Sequence, residues 1–432
     1  MTASFRSVLK GWIFAAVILC LLFTSASPVR AGATIIVNTT DDLGGDNTAA
    51  KCSLREAIIS ANENRAYGGC PAGGPGTDYI YLPAAWPKKY FLNTPGEGEN
   101  KGYTGDLDIT SSMVITGAGV DSVIIDATRL DRTFEILSTG PVTISNLAIT
   151  NGYKITDGGG IRIYQSNVTL IGLDISGNMP SVGGGGIRIT NGSTVLIRNS
   201  QITNNHAPAG SAIVAEGELT LENSFIHKNT SVGTSSTAAV TVNTWRGELV
   251  TIINTTIAEN SVSGSALAAG VSVSKTANLR MQNATIVNNN GTGLEVLSGG
   301  RVVMSNTIIA RQKDDNADCA INTGAIFTTQ GNNLASDTTC RLDKAKGDKV
   351  VADGALFIED QAYFNGGKTP TFALLEGSPA IDGGSNSGCP GNDQRGFGRP
   401  ADGDNNGSKV CDIGAFELGG TSFVVFVPTV RR

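Results

Sequence analysis

Between residues 142 and 309 the chain repeats a short pattern in which apolar and polar positions alternate. Each of seven copies places two apolar residues two positions apart and an isoleucine five positions after the second of them. All three positions are apolar in every copy, although only 40% of the chain is apolar. Such alternation is typical of β-strands that bury one face. The copies begin at Val142, Val168, Val195, Leu219, Val250, Leu279 and Val302.

A second alternating segment precedes most copies, as in residues 160–163 and 186–189, and Gly or Asn marks the turns between segments. Helical periodicity fits nowhere in this region, which argues against leucine-rich repeats. A unit of about 25 residues cannot close a core alone, so like copies must stack with their apolar columns in register. The pattern therefore predicts an all-β fold, a right-handed single-stranded parallel β-helix over residues 111–345. The hand follows from the preference of crossover connections.

Asparagine forms two further columns in the repeats, one in the turn after the first strand of six copies, with Gly172 as the exception, and one three residues after the isoleucine of five copies. These columns could form a polar binding face or a ladder of stacked amides that satisfies the turns. We favour the ladder, because the asparagine marks a bend in nearly every copy. The second column consists of Asn178, Asn205, Asn229, Asn260 and Asn289.

The N-terminal residues 1–31 have the features of a secretory signal peptide. Arg6 and Lys10 precede the apolar run 12–23, and small residues flank a cleavage point in 29–31. A membrane span is the alternative, but this run is shorter than the roughly 20 residues that a helix needs. We therefore expect an exported protein, extracellular or on the cell surface, whose mature chain has no membrane span.

Six cysteines remain after the signal peptide and fall into three couples that are close in sequence. An even number in an exported chain indicates disulfides. Sequence locality is the only argument for choosing among the 15 connectivities that six cysteines allow. Zinc binding would favour tighter spacing such as CxxC, which the chain lacks. The expected bonds are Cys52–Cys70, Cys319–Cys340 and Cys389–Cys411.

The sequences on either side of the repeats predict caps that cover the open ends of the β-helix. Ser53 and Glu56 have the spacing of a capping box, so a helix is expected across the open N-terminal end of the core. We assign residues 32–110 to this N-terminal cap and 346–418 to a disulfide-bonded C-terminal cap. The tail 419–432 is apolar with a basic end, which suits either a sorting or anchoring segment or a last edge strand.

Residues 52–62, CSLREAIISAN, resemble the CSLREA-type N-terminal module of bacterial exported β-helix proteins. Residues 377–384, 393–396 and 411–417 resemble the choice-of-anchor-type C-terminal module of similar surface proteins. Together these likenesses imply a surface β-helix protein. Neither module implies a catalytic set.

The charge balance excludes two classes of partner. The chain has 32 basic and 38 acidic residues, and removal of the signal peptide takes away three basic residues and leaves 29 against 38. A net acidic protein is not a general binder of nucleic acid or of membrane surfaces. We expect a monomer.

β-Helix enzymes of the pectate lyase type need carboxylates on neighbouring outward positions, to hold Ca²⁺ or to act as an acid pair. The outward positions that flank the turn asparagines hold one acid, Asp174. This pattern favours a non-catalytic scaffold for adhesion or for binding an extracellular polysaccharide or cell-envelope component. The alternative is a lyase or glycoside hydrolase that acts on acidic polysaccharide in an outer groove, with acids supplied by loops such as 314–318.

Arg162 and Arg188 fall at equivalent places in successive copies, with Tyr164 on the same face. Two stacked cations repel each other unless an anion bridges them. A uronate or sulfate could do so, and Tyr164 could stack on a sugar ring. The alternative is a pair of solvated arginines that lean apart.

Residues 402–407, DGDNNG, resemble the start of a Ca²⁺-binding loop, with oxygen ligands at alternate positions and glycine sixth. The twelfth position is Ile413 rather than glutamate. The sequence therefore suggests a reduced calcium site or, alternatively, an acidic turn beside Cys411. The candidate ligands are Asp402, Asp404, Asn406 and Asp412. No other cofactor is expected.

Overall fold

The computed structural model describes residues 31–44, 50–84, 89–96, 98–154, 156–233, 237–263 and 268–422. The predicted signal peptide, apart from Ala31, and residues 423–432 of the predicted tail lie outside the described residues. No helix in the described ranges is both long enough and apolar enough to cross a membrane.

Three parallel sheets run along the molecule, and each of the central coils of the chain contributes one strand to each sheet in turn. Strands are numbered in chain order. Sheet 1 contains β1 (Thr34–Ile36), β2 (Asp78–Leu82), β5 (Met113–Gly117), β8 (Val142–Ser145), β11 (Asn167–Ile171), β14 (Thr194–Arg198), β18 (Glu218–Glu222), β22 (Leu249–Ile253), β26 (Asn278–Gln282), β29 (Arg301–Ser305) and β32 (Ile326–Gly331).

Sheet 2 contains β3 (Lys89–Phe91), β6 (Ile124–Asp126), β9 (Ala148–Thr150), β12 (Asp174–Ser176), β15 (Gln201–Thr203), β19 (Phe225–His227), β23 (Thr256–Ala258), β27 (Thr285–Val287), β30 (Ile308–Ala310), β33 (Leu334–Ala335) and β34 (Lys349–Val350). Sheet 3 contains β4 (Leu107–Ile109), β7 (Phe134–Ile136), β10 (Ile161–Ile163), β13 (Ile187–Ile189), β17 (Ile213–Ala215), β21 (Val240–Val242), β25 (Ala268–Val273), β28 (Thr292–Val296) and β31 (Cys319–Ile321).

The remaining elements are short. A small parallel sheet joins β16 (His206–Ala207), β20 (Thr230–Ser231) and β24 (Ser261–Val262). The helix α1 spans Leu54–Glu63, and single 3₁₀ turns span Lys313–Asp315, Lys344–Lys346 and Asp353–Ala355.

The apolar columns of the repeat form the core of the molecule. Ile149, Ile175 and Ile202 pair in register on neighbouring strands of sheet 2, and each is fully buried. The other two columns pair in the same way in sheet 1, for example Val142 with Val168. The predicted right-handed parallel β-helix is therefore confirmed.

The turn asparagines adopt the left-handed backbone conformation. Their φ angles lie between 45° and 55°, and Gly172 takes the same conformation where the asparagine is missing. This region is unfavourable for most L-residues, and Asn and Gly tolerate it best. The first asparagine column thus sets the bend between sheets 1 and 2. Its members are Asn146, Asn199, Asn223, Asn254, Asn283 and Asn306.

The second asparagine column is a fully buried amide ladder inside the coils. In each rung the side-chain Nδ2 donates to the Oδ1 of the next rung, over 2.9–3.0 Å. The same Oδ1 also accepts the backbone N–H of the preceding asparagine. The ladder ends at Gln312, whose Oε1 accepts the amide of Asn289. It satisfies polar groups that would otherwise be buried without partners.

The N-terminal cap is built around α1. Ser53 caps the helix and forms the reciprocal capping box with Glu56, as the spacing predicts. Leu54 and Ala57 enter the core of the β-helix. Cys52 forms a disulfide with Cys70, and Cys319–Cys340 and Cys389–Cys411 are the other two disulfides.

Arg55 is almost completely buried between α1 and the loop that precedes β4. Its guanidinium forms two bonds to the carboxylate of Asp42, at 2.7 and 3.1 Å. It also donates to the backbone carbonyls of Gly102, Gly105 and Asp106. One buried cation therefore fastens the cap helix to the loop 98–106.

The segment assigned to the C-terminal cap, residues 346–418, lies against the outer face of sheet 2, and we call it the C-terminal module. A second apolar cluster forms there, in which Phe372 and Phe416 pack with Phe225 and Ile308. The turn asparagines Asn254, Asn283, Asn306 and Asn332 donate their side-chain N–H groups to backbone carbonyls of the module. The module is thus attached along several consecutive coils.

Candidate functional site

A column of four charged residues lies on the outer face of sheet 3. Asp108, Glu135, Arg162 and Arg188 are each the middle residue of a strand whose two neighbours are buried and apolar. They face one another in register across β4, β7, β10 and β13. The parallel pairing therefore stacks two acids beside two bases, and we call these four residues the charged column.

The chain itself supplies the anions that separate the two arginines. Asp157 Oδ1 is 3.2 Å from Arg162 Nε, and Asp157 Oδ2 is 3.7 Å from Arg188 Nε. Arg162 also pairs with Glu135, and Arg188 Nη2 is 2.8 Å from Glu216 Oε1. No external uronate or sulfate is needed to hold the arginines together, which removes the electrostatic reason for expecting one.

Tyr164 follows β10 and is 41% exposed. The guanidinium carbon of Arg162 is 5.2 Å from the centre of its ring, which is a cation–π distance. The tyrosine is therefore held beside the charged column with part of its ring open to solvent. Ligand binding by Arg162, Tyr164 and Arg188 stays a prediction.

The first two residues of the column belong to a buried acidic cluster. Asp106, Asp108 and Glu135 each place one carboxylate oxygen within 4.8 Å of the others. Arg132 Nε is 2.9 Å from Asp106 Oδ2. The backbone N–H of Gly102 donates to Asp108 Oδ2, so the loop 98–106 covers the cluster.

The electrostatics of this cluster are those of carboxyls removed from water. Burial raises the pKa of Asp106 to about 7, with Asp131 adding to the effect. Burial also raises the pKa of Asp108 to about 8, and the nearby charge of Asp106 acts in the same direction. Desolvation disfavours the charged form of an acid, and at Asp106 the charge of Arg132 compensates only in part.

The sequence reasoning missed these acids because it aligned the repeats from residue 142 onward. The signal was present in the triplets LDI at 107–109 and FEI at 134–136, which have the apolar–polar–apolar pattern of IRI at 161–163. Successive triplets start 27 residues apart, which is within the range of the repeat. Including these two coils would have placed both acids in one outward column.

The predicted calcium loop is held together by its own hydrogen bonds. Asp402 accepts the backbone N–H groups of Asn406 and Gly407, and Asn406 Oδ1 accepts that of Ser408. Asp404 Oδ1 also accepts from Asn406. These contacts are those of the acidic turn that was the alternative, and calcium binding here stays a prediction.

The fourth predicted ligand, Asp412, is fully buried with both oxygens occupied by backbone N–H groups, those of Asp382 and Leu418. Burial raises its pKa to about 7, and Glu417 contributes. The residue whose carboxylate lies within 4.8 Å of Asp402 and Asp404 is instead Asp382. Asp382 precedes Asp402 by twenty residues, so a motif of neighbouring residues could not identify it as a ligand.

A polar cleft of about 400 Å³ lies beside sheet 2, between the loop 118–122 and the C-terminal module. Asp121, Asp174, Gln201 and Lys368 are among the residues that line it. Asp174 Oδ1 is buried there without a hydrogen-bond partner. Burial raises the pKa of this carboxyl.

The repeats of this chain match a family of known proteins. The sequence model of the family described as "Right handed beta helix region" matches residues 132–309. No curated protein sequence matches the chain.

Solved structures similar to this chain include two polysaccharide lyases. One, "Crystal structure of pectate lyase Pel9A", has a TM-score of 0.47 at 16% identity and covers 91% of this chain and 98% of its own. The other is "Structural characterization of a mannuronic acid specific polysaccharide family 6 lyase enzyme from human gut microbiota", with a TM-score of 0.22 at 13% identity, covering 64% of this chain and 86% of its own. Neither likeness assigns a function to this chain. The family match and the three parallel sheets together identify the fold as a right-handed parallel β-helix.

Proposed function

We propose that this chain is an exported, non-catalytic β-helix protein that binds extracellular polysaccharide on the outer face of sheet 3. The observation that carries the proposal is the exposed ring of Tyr164 beside Arg162, which lies in register with Arg188. The three disulfides are compatible with an extracellular location. A fixed aromatic ring with convergent polar groups is the usual composition of a site that orients a small polar ligand.

The local charge favours a neutral polysaccharide over a polyanion. The two arginines share three carboxylates, those of Glu135, Asp157 and Glu216, so neither arginine has an unpaired positive charge to offer a polyanion. The whole chain is also acidic, with a net charge of −6. Like charges repel an approaching polyuronate, whereas sugar hydroxyls can bond to the outer atoms of these ion pairs.

The same contacts support a non-catalytic role. Glycoside hydrolysis uses two carboxyls that both reach the substrate. Asp108 is fully buried and Glu135 is 8% exposed, while Asp157 and Glu216 are both paired with Arg188. The acids beside Tyr164 are therefore either covered or neutralised. A lyase or hydrolase remains the alternative function.

The test is binding to immobilised neutral glucan, xylan and polygalacturonate, together with assays for released reducing ends and unsaturated uronates. We expect binding to a neutral polymer, and Tyr164→Ala to weaken it at least tenfold, or about 1.4 kcal/mol. Tyr363→Ala is the matched control, because Tyr363 is similarly exposed, at 47%, on the C-terminal module. Asp174→Asn reports on the polar cleft.

A different experimental result would contradict each part of the proposal. Tighter binding of polygalacturonate than of the neutral polymers would reject the ligand class. Binding that survives Tyr164→Ala but is lost in Asp174→Asn would move the site to the cleft beside sheet 2. Release of sugar from any of the polymers would show that the protein is an enzyme.

A further inference from the structure

Asp106, Asp108 and Glu135 are buried beneath the loop 98–106, and too few cationic side chains surround them to balance three carboxylates. Arg132 faces two of them, with Nε 2.9 Å from Asp106 Oδ2 and Nη1 3.5 Å from Glu135 Oε1. Arg162 also pairs with Glu135, but its charge is shared with Asp157. Within the described part of the chain no ion pair reaches Asp108.

Asp108 is the residue that shows the deficit most directly. It is fully buried, and its Oδ1 has no hydrogen-bond partner, although its Oδ2 accepts from Gly102. An unpaired buried carboxylate is among the most costly groups in a protein interior. Glu99 lies close enough to make the site still more negative. The pair Lys154–Asp131 is neutral in itself and does not change the balance.

The geometry points to a Ca²⁺ site formed by one carboxylate oxygen from each of Asp106, Asp108 and Glu135. Ligand oxygens lie about 2.3–2.6 Å from Ca²⁺, so two of them can be up to roughly 5 Å apart. The three oxygens here lie within 4.8 Å of one another and meet that limit. Because all three residues are at most 8% exposed, the ion would have a structural role, out of reach of a polysaccharide.

Calcium at this place would fasten the loop 98–106 to sheet 3. Asp106 ends the loop, Asp108 lies on β4, and Glu135 lies on β7 of the next coil. The loop is already held from the other side by Arg55.

Thermal unfolding of the full mature chain after chelation, with and without 1 mM Ca²⁺ at pH 8, tests the site. We expect Ca²⁺ to raise the melting temperature by about 3 °C. Asp108→Asn should abolish this increase, and Asp353→Asn, at an exposed acid of the C-terminal module, should leave it unchanged. Asp404→Asn tests the exposed acidic turn as the other candidate calcium site. No increase in the wild type, or an increase lost only in Asp404→Asn, overturns the proposal.

Limited trypsin digestion of the wild type needs no variant and keeps the test decisive if Asp108→Asn does not fold. Lys101 is exposed in the loop and precedes Gly102, whose N–H bonds to Asp108. Lys275 is exposed in the turn that follows β25 and serves as the control in the same digest. Ca²⁺ should slow cleavage after Lys101 at least fivefold and leave cleavage after Lys275 unchanged. Equal rates at Lys101 with and without Ca²⁺ contradict the site.

Discussion

Arg162 and Arg188 lie side by side in register on two neighbouring strands and share the carboxylate of Asp157. A parallel β-helix places equivalent residues of successive coils about 4.8 Å apart, so identical charges in one column oppose each other directly. Asp157 comes from the loop before β10 and removes this conflict. The loop before β10 therefore supplies the negative charge that stabilises the two stacked arginines of sheet 3.

Replacing the shared carboxylate should both destabilise the fold and change what the surface attracts. We expect Asp157→Asn to lower the free energy of unfolding by about 1 kcal/mol, since the pairs are partly exposed. With one negative charge removed, binding of polygalacturonate should strengthen at least threefold in a direct titration. Glu222→Gln is the control, because Glu222 pairs with an exposed arginine, Arg198, on sheet 1. An equal gain in both variants would argue against a local effect.

The amide ladder should be sensitive at its middle. Asn229 donates to the carbonyls of Ile202 and His227 and exchanges bonds with the asparagines on either side. Asn229→Ala leaves several buried groups unpaired, and we expect a loss of about 3 kcal/mol in chemical denaturation. Asn290→Ala, at an exposed position, should cost less than about 0.5 kcal/mol. A small effect at Asn229 would mean that water replaces the amide.

Arg55 should not tolerate lysine. A lysine keeps the charge but cannot make two bonds to Asp42 and three to the loop carbonyls from one planar group. We expect Arg55→Lys to lower the free energy of unfolding by about 3 kcal/mol. It should also speed proteolysis of the loop 98–106. Arg198→Lys, in a pair whose arginine is 44% exposed, should change stability by less than about 0.5 kcal/mol.

His227 should make the fold sensitive to mild acid. Its ring stacks on Phe225, and burial lowers its pKa to about 4, although the charge of Glu259 opposes the shift. The unfolded chain therefore binds this proton more readily, and the stability that neutral His227 contributes is lost as the pH falls from about 6.5 through 4.

The matching variant is His227→Gln. Between pH 6.5 and 4 the wild type should lose about 2 kcal/mol more than the variant. Denaturation curves at several pH values measure the difference. An NMR titration of the imidazole gives the pKa directly, and a midpoint above 6 would contradict the explanation.

The fold was accessible from the sequence because its signal is repeated. Each copy places apolar residues such as Val168 and Leu170 in the same columns, so the register follows from counting. The capping box at Ser53 and Glu56 was equally readable, because it depends on residues three positions apart. These features are local or periodic, and stacking then determines their long-range contacts.

The site was less accessible because loops complete it. Asp157 and Asp382 reach their partners from segments outside the period of the repeat, and no spacing rule places them. Asp108 and Glu135 are periodic, but their coils lie before the copies with the clearest asparagine turns. Their burial depends on the loop 98–106, whose position the pattern of apolar residues does not determine.

The attachment of the C-terminal module has a mechanical consequence. The module is hydrogen-bonded to residues of five successive coils. The Thr369 hydroxyl donates to the carbonyl of Asn223, and backbone carbonyls of the module accept from the side chains of Asn254, Asn283, Asn306 and Asn332. Tension applied at residue 422 is therefore shared among these coils in shear, and the terminal coils cannot peel away one at a time. The module reinforces the side of the solenoid, so a force applied at residue 422 must break many hydrogen bonds at the same time.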